Sequence, residues 1–247
     1  MRALLDAAVA LWRRRSGVLC RAAPLLAVCL AFARFVVANG GVALGDKEAH
    51  AAAAHWMQPF YCWTAATCAL WPFTLAPGAA IETLQGLRSR PLLAALVVVV
   101  VVAAKRYGTL VHPYTLADNR HYTFYLWRRV LSGGRGWALL PLHAFSAAAV
   151  LRAHAAGGYG EARALLFAAA CAAVLVPARL LELRYFTAPY LLTLAALYAR
   201  LERGGDGSRW RFALCAAANC LVNAATVWLF ATRPFAYDGK EEGRFIW

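Results

Sequence analysis

The sequence predicts an all-α, polytopic transmembrane bundle of about seven helices, and three observations carry that prediction. Of the 247 residues, 62% are hydrophobic and only 15% are charged, whereas a soluble globular chain is nearer half apolar and a quarter charged. The apolar residues gather in long runs, with the charges clustered between them. Arg and Lys stand at the borders of those runs, where their stems stay in lipid and their heads reach the interface. So few charges could not cover so much apolar surface in water; in a bilayer, lipid is itself the apolar solvent.

The apolar runs lie at about 18–38, 56–76, 91–104, 136–151, 164–181, 186–199 and 212–232. Three reach about twenty residues, enough to cross roughly 30 Å of hydrocarbon at about 1.5 Å per residue. The four shorter ones need flanking Lys, Arg, Tyr or Trp to bridge the interface. Leu96 to Val102 is nearly all Val, yet between Arg90 and Lys105 it reads as a helix in lipid. The whole of 1–247 reads as one transmembrane domain. Residues 1–12 are mildly apolar, but Arg13, Arg14 and Arg15 follow them instead of preceding them, so no secretory signal is recognisable. The chain therefore opens like the interior of a longer protein.

The net charge of +14 does not point to nucleic acid, because the basic residues form no helical stripe and no nucleic-acid module. The bilayer is the partner they fit. The seven cysteines lie inside apolar runs without CxxC spacing, which predicts small apolar helix residues and neither disulfide framework nor zinc site.

Counting Lys and Arg orients the loops. Arg13, Arg14, Arg15 and Arg21 assign the N-terminal flank to the cytoplasm. Arg88 and Arg90, then Arg152 and Arg163, then Arg200, Arg203, Arg209 and Arg211 assign three further loops to the same side. One loop breaks the rule. Alternation puts 105–135 on the far side, yet it carries Lys105, Arg106, Arg120, Arg128, Arg129 and Arg135 against Asp118 alone. Either a helix is miscounted, or these charges have work that outweighs their topological cost.

Residues 117–130 of that loop read ADNRHYTFYLWRRV. Asp118 or Asn119 is suited to cap a helix beginning at Arg120. Along it Arg120, His121, Phe124, Tyr125 and Arg128 would share roughly one face. Guanidinium, imidazole and aromatic rings together suit a phosphate and a sugar plane. The same pattern suits an interfacial helix with an aromatic belt and snorkelling arginines, and the chemistry alone leaves both open. His112 is a weaker candidate, equally an interfacial polar residue. Glu182 and Arg184 sit between apolar runs, as a substrate contact or as a structural ion pair. Pro177 and Pro189 flank them as candidate helix breaks. Asp46 is either a carboxylate facing a substrate cavity within the membrane protein or part of a solvated turn after Asn39, Gly40 and Gly41. His143, within an apolar run, reads as core.

The string ADNRHYTFYLWRRV resembles the eukaryotic dolichyl-phosphate-glucose α-1,2-glucosyltransferase family, which adds the last glucose to the lipid-linked oligosaccharide of asparagine-linked glycosylation. Three more stretches agree in order: FVVANGGVALGDK (35–47), LLELRYFTAPY (180–190) and RFIW (244–247). The resemblance covers nearly all of this chain but about the C-terminal half of the family's usual length. It implies a multi-pass endoplasmic-reticulum glycosyltransferase of the GT-C class. The donor it implies is dolichyl-phosphate glucose, and the acceptor a diglucosylated, dolichol-pyrophosphate-linked oligosaccharide. The implied reaction inverts the anomeric centre, with a carboxylate activating the acceptor hydroxyl as dolichyl phosphate leaves. That base is expected in a first luminal loop near the family's N-terminus, outside this chain, so the catalytic residue is unassigned here. Under the resemblance, 105–135 becomes a luminal substrate loop, with Arg120, His121, Tyr125, Arg128, Asp118 and Asn119 as donor-binding candidates. No DxD-like acidic pair is present to hold a metal against a nucleotide diphosphate, and no metal or cofactor is expected.

An alternative keeps the membrane bundle without the chemistry: a non-catalytic subunit or channel regulator derived from the same family. A transporter would call for charges inside helices and inverted repeats, and neither is evident.

Overall fold

A computed structural model of the chain describes residues 5–6, 9, 15–42, 47, 51–117, 120–155, 160–204, 209–237 and 241–244. Its helices in order are α1 (Arg15–Asn39), α2 (Gln58–Ala69), α3 (Trp71–Thr74), α4 (Pro77–Ser89), α5 (Pro91–Tyr107), α6 (Pro113–Ala117) and α7 (Tyr122–Leu126). A π-helical turn at Trp127–Leu131 leads into α8 (Gly133–Ala138), α9 (Leu140–His154) and α10 (Gly160–Leu175). A 3₁₀ turn at Leu183–Phe186 precedes α11 (Thr187–Gly204) and α12 (Arg209–Thr232). A small antiparallel hairpin, β1 (Phe235–Tyr237) with β2 (Glu241–Gly243), lies in the tail. The architecture is an all-α membrane bundle, and each of the seven apolar runs is helical over most or all of its length.

Three helical stretches among the described residues are long and apolar enough to cross a membrane: Leu19–Asn39, Gly133–His154 and Arg209–Thr232. The α4–α5 pair makes a fourth only as a bent span, turning by 103° at the break before Pro91. The run 56–76, expected to be one of the three long spans, is instead divided at Leu70, where φ is −101° and ψ is 27°. Pro72 has no N–H to give the Cys68 carbonyl, so the helix stops and restarts with Pro72 in its first turn, where no donor is needed. Pro177 likewise ends α10 two residues after Leu175, whereas Pro189 falls in the first turn of α11 and leaves it unbroken.

The bundle is centred on α9, which packs against α2, α4, α5, α10 and α11. Its buried residues include His143, Ser146, Ala147, Val150, Ala153 and His154, which recur at three and four residues, together with Ala149, and the small ones admit neighbouring backbones closely. Phe60, Trp63, Val101, Trp127, Phe167 and Leu175 fill the core around it. The two longest helices contribute little: none of the apolar window of α1 is buried, and only 6% of that of α12.

The packed helices have chemically distinct ends. At one end Glu82 pairs with Arg152 and with Arg200 (3.1 Å), Arg90 pairs with Glu161 (3.1 Å), and Arg163 donates to the His154 carbonyl (2.7 Å). The three loops assigned to the cytoplasm by charge counting thus meet on one end of the bundle. The other end, roughly 25 Å away along α5, gathers residues 51–57, 108–117, 120–135 and 176–186. There Gly108 is required by a close approach, since a Cβ on it would lie 2.5 Å from the Trp56 Cβ.

Candidate functional site

At this second end, the chain leaving α5 meets the chain leaving α10 across a cavity of about 630 Å³. One wall is Tyr114, Thr115, Ala117, His121, Tyr122 and Thr123; the other is Leu180 to Arg184. A volume of this order suits a small-molecule head rather than a macromolecule. His121, Glu182 and Arg184, all singled out from sequence, are brought together here although about sixty residues separate the two walls.

Local backbone chemistry explains the first wall. His112 is buried and its Nδ1 accepts the Tyr114 N–H (3.1 Å), capping the short α6. It therefore supports the wall without lining the cavity. The helix expected to begin at Arg120 starts two residues later. Arg120 is in a turn, and His121 is the N-cap in extended conformation (φ −80°, ψ 134°) without a side-chain cap bond, its backbone engaged in an isolated β-bridge. The expected cap residues Asp118 and Asn119, and Asp46, lie outside the described residues.

The predicted single face from Arg120 to Arg128 forms only in part, where Arg128 meets Phe124. After α7 the backbone widens into the π-turn, with Ser132 N–H reaching the Trp127 carbonyl at 3.0 Å, which changes the angular step between residues. Arg120, Tyr125 and Arg128 fall outside the described lining of the cavity. Arg128 lies over the Phe124 ring (5.7 Å) and Arg129 over the Tyr125 ring (5.6 Å). Arg135 donates to the Arg128 carbonyl (3.1 Å), and Lys105, 8% exposed, to the Leu131 carbonyl (2.9 Å). A Cβ on Gly136 would lie 2.0 Å from that same carbonyl oxygen, so glycine is needed there. Much of the excess charge of 105–135 is thus engaged locally, with carbonyls and aromatic rings.

On the second wall Arg184 pairs with Glu182, and the carboxylate holds the guanidinium above its ordinary pKa. The ion pair and the cavity-facing position coincide, so the two readings of these residues are compatible. Tyr122 joins the walls: burial pushes its phenol up to about 12, against a backbone hydrogen bond with Leu183 and together with the Glu182 charge. It remains protonated at neutral pH. Tyr114 and Tyr122 were not singled out from sequence, although Tyr122 lies within the quoted string.

Beneath the second wall sits a buried polar group also missed from sequence. His55 and Gln58 are 0% exposed, and the Tyr61 ring is edge-on to both the His55 ring (6.0 Å) and the His143 ring (5.6 Å). His143 is indeed core, bonded to the Thr64 hydroxyl at 2.7 Å. Burial lowers the His55 pKa to about 4, partly offset by the carbonyls of Arg179 and Ala178 and reinforced by Lys105. The signal was available: Gln58 is a lone amide in the run 56–76.

The sequence matches the DIE2/ALG10 family over residues 1–195. Among similar curated proteins are the Dol-P-Glc:Glc(2)Man(9)GlcNAc(2)-PP-Dol alpha-1,2-glucosyltransferases of Drosophila melanogaster, Rattus norvegicus and Arabidopsis thaliana. They are 37%, 32% and 31% identical over 89%, 91% and 96% of this chain. The chain spans about half the length of these relatives (47%, 46% and 47%). No solved structure matches it significantly. By the extent of the family match and the agreement of these relatives, the chain belongs to the DIE2/ALG10 family.

Proposed function

We propose that this chain forms the part of an endoplasmic-reticulum α-1,2-glucosyltransferase that holds dolichyl-phosphate glucose while its glucose passes to the lipid-linked oligosaccharide. The single observation that carries the reading is the cavity. Its walls come mostly from two of the four stretches that resemble the family, 117–130 and 180–190, which are distant in sequence. The names of the relatives suggest the substrates, and the groups lining the cavity suit their phosphate and sugar.

In this reading His121 and Arg184 contact the donor phosphate, whose negative charge rises as the glycosidic bond breaks. Fixed donors placed before that charge develops stabilise it without reorganisation. Tyr122 offers its proton and ring plane to the sugar, and Glu182 fixes Arg184 while accepting from a sugar hydroxyl. Arg120, next to His121 in sequence, is a further candidate donor contact. The cavity end faces the lumen, opposite the basic end that meets the cytoplasm.

The test is genetic. Expression of the chain's gene in cells that accumulate the diglucosylated lipid oligosaccharide restores the third glucose. His121→Ala and Arg184→Ala lose that rescue at unchanged protein abundance. Full rescue by both variants removes the donor-site assignment, and a glycosylation tag in 108–123 that stays unmodified removes the luminal one.

A further inference from the structure

Residues 176–182, between α10 and the 3₁₀ turn, form neither helix nor strand. Irregular backbone in a largely apolar bundle must still satisfy its polar groups. Here one short segment does it. Ala53 and His55 donate their N–H groups to the carbonyls of Pro177 (3.1 Å) and Val176 (3.0 Å). Gln58 Nε2 donates to the carbonyls of Ala178 (3.1 Å) and Leu180 (2.8 Å), and His55 Nδ1 to that of Arg179 (3.3 Å). Five consecutive carbonyls, 176 to 180, are therefore held by residues 53–58, and the next residues form the cavity's second wall.

We infer that His55 and Gln58 are positioning residues that set the place of Leu180 to Arg184 against His121 and Tyr122. The inference rests on the glucosyltransferase reading for its effect on turnover, and on the hydrogen bonds alone for its effect on the wall. Geometry makes the roles specific. A primary amide has two N–H groups, and Gln58 commits one to each of two carbonyls two residues apart, which fixes both the spacing and the tilt of the chain there. Both side chains are fully buried, so water cannot replace the bonds they make. The bond from His55 Nδ1 requires the tautomer with its proton on that nitrogen, since a carbonyl only accepts.

The chemistry separates variants of similar shape. Gln58→Glu replaces a double donor with oxygen facing two carbonyl oxygens, and Gln58→Asn withdraws the donor by one methylene. His55→Leu removes the ring donor. His55→Asn keeps an N–H near the Nδ1 position and so retains the bond.

The experiment uses the full-length gene product in lipid nanodiscs with two readouts. The first is the KM and kcat of glucose transfer as dolichyl-phosphate glucose is varied. The second is the maleimide alkylation rate, by peptide mass spectrometry, of a cysteine introduced as Leu183→Cys on the wall. Gln58→Glu and His55→Leu raise the donor KM about tenfold or more, a size in keeping with an ångström-scale misplacement, and change the alkylation rate severalfold. His55→Asn stays within about twofold of the parent in both. If Gln58→Glu does not accumulate, Gln58→Asn carries the same expectation. A purely structural role would reduce the yield of folded protein and leave KM and alkylation unchanged in what remains; that result overturns the proposal. Altered alkylation in a chain for which even the parent transfers no glucose supports the clamp and removes the glucosyltransferase reading instead.

Discussion

The two longest helices and the cavity end of the bundle make opposite use of the same membrane chemistry. α1 and α12 are long, apolar and almost wholly unburied, and α12 touches the bundle mainly at α3, where the rings of Phe73 and Phe212 lie 4.5 Å apart. The cavity end is built from short pieces: α6 and α7 of five residues each, a π-turn and irregular backbone. It nevertheless holds the buried amide, the imidazoles and the ion pair. The comparison teaches that long unbroken helices mark where the chain lies outside the packed core, and broken ones mark where it builds a cavity. Backbone that leaves the helix frees N–H and C=O groups, which are tolerated at depth only when protein or a cavity receives them.

The sharpest way to break this comparison is at the cavity. Arg184→Ala and His121→Ala each remove a charged or polar contact of the kind worth about 1.5–3 kcal/mol, so glucose transfer falls by roughly ten- to a hundredfold. Single-turnover rates on purified protein measure it, and rates within twofold of the parent would separate cavity from chemistry.

Acid acts next, through His55. Its folded pKa of about 4 lies below the ordinary 6.5, so the unfolded state binds more protons between those values. Stability present above pH 6.5 therefore declines as pH falls toward 4, by up to about 3 kcal/mol, and then levels. Thermal melts in nanodiscs follow it, and His55→Asn makes the decline shallower without abolishing it.

A smaller effect is expected under α9. His143→Leu leaves the Thr64 hydroxyl without its 2.7 Å partner and costs about 1–2 kcal/mol of stability, with the donor KM unchanged. A raised KM would move His143 from scaffold to site. The smallest effect belongs to the outer helix: Leu221, 72% exposed on α12, changes to Ala with melting and transfer unaltered within about 0.5 kcal/mol.

How much was legible follows the same division. Hydropathy located α1 and α12 because their sequences contain little else, and charge counting grouped Arg90, Arg152 and Arg200 correctly on one end. The quoted strings brought His121, Glu182 and Arg184 forward as candidates. Helical periodicity failed between Arg120 and Arg128, because His121 is extended and the π-turn resets the register, neither of which a 3.6-residue repeat can anticipate. The break at Leu70 was foreshadowed by Pro72. Of the clamp of His55 and Gln58 on 176–180 only the lone amide of Gln58 was legible, since the carbonyls it holds lie over a hundred residues away.

The most direct test of the account is the equilibrium affinity of the full chain, in nanodiscs, for dolichyl-phosphate glucose. The account predicts that Arg184→Ala weakens binding about tenfold or more while Leu221→Ala binds as the parent does. Equal affinity of the parent and Arg184→Ala would contradict it.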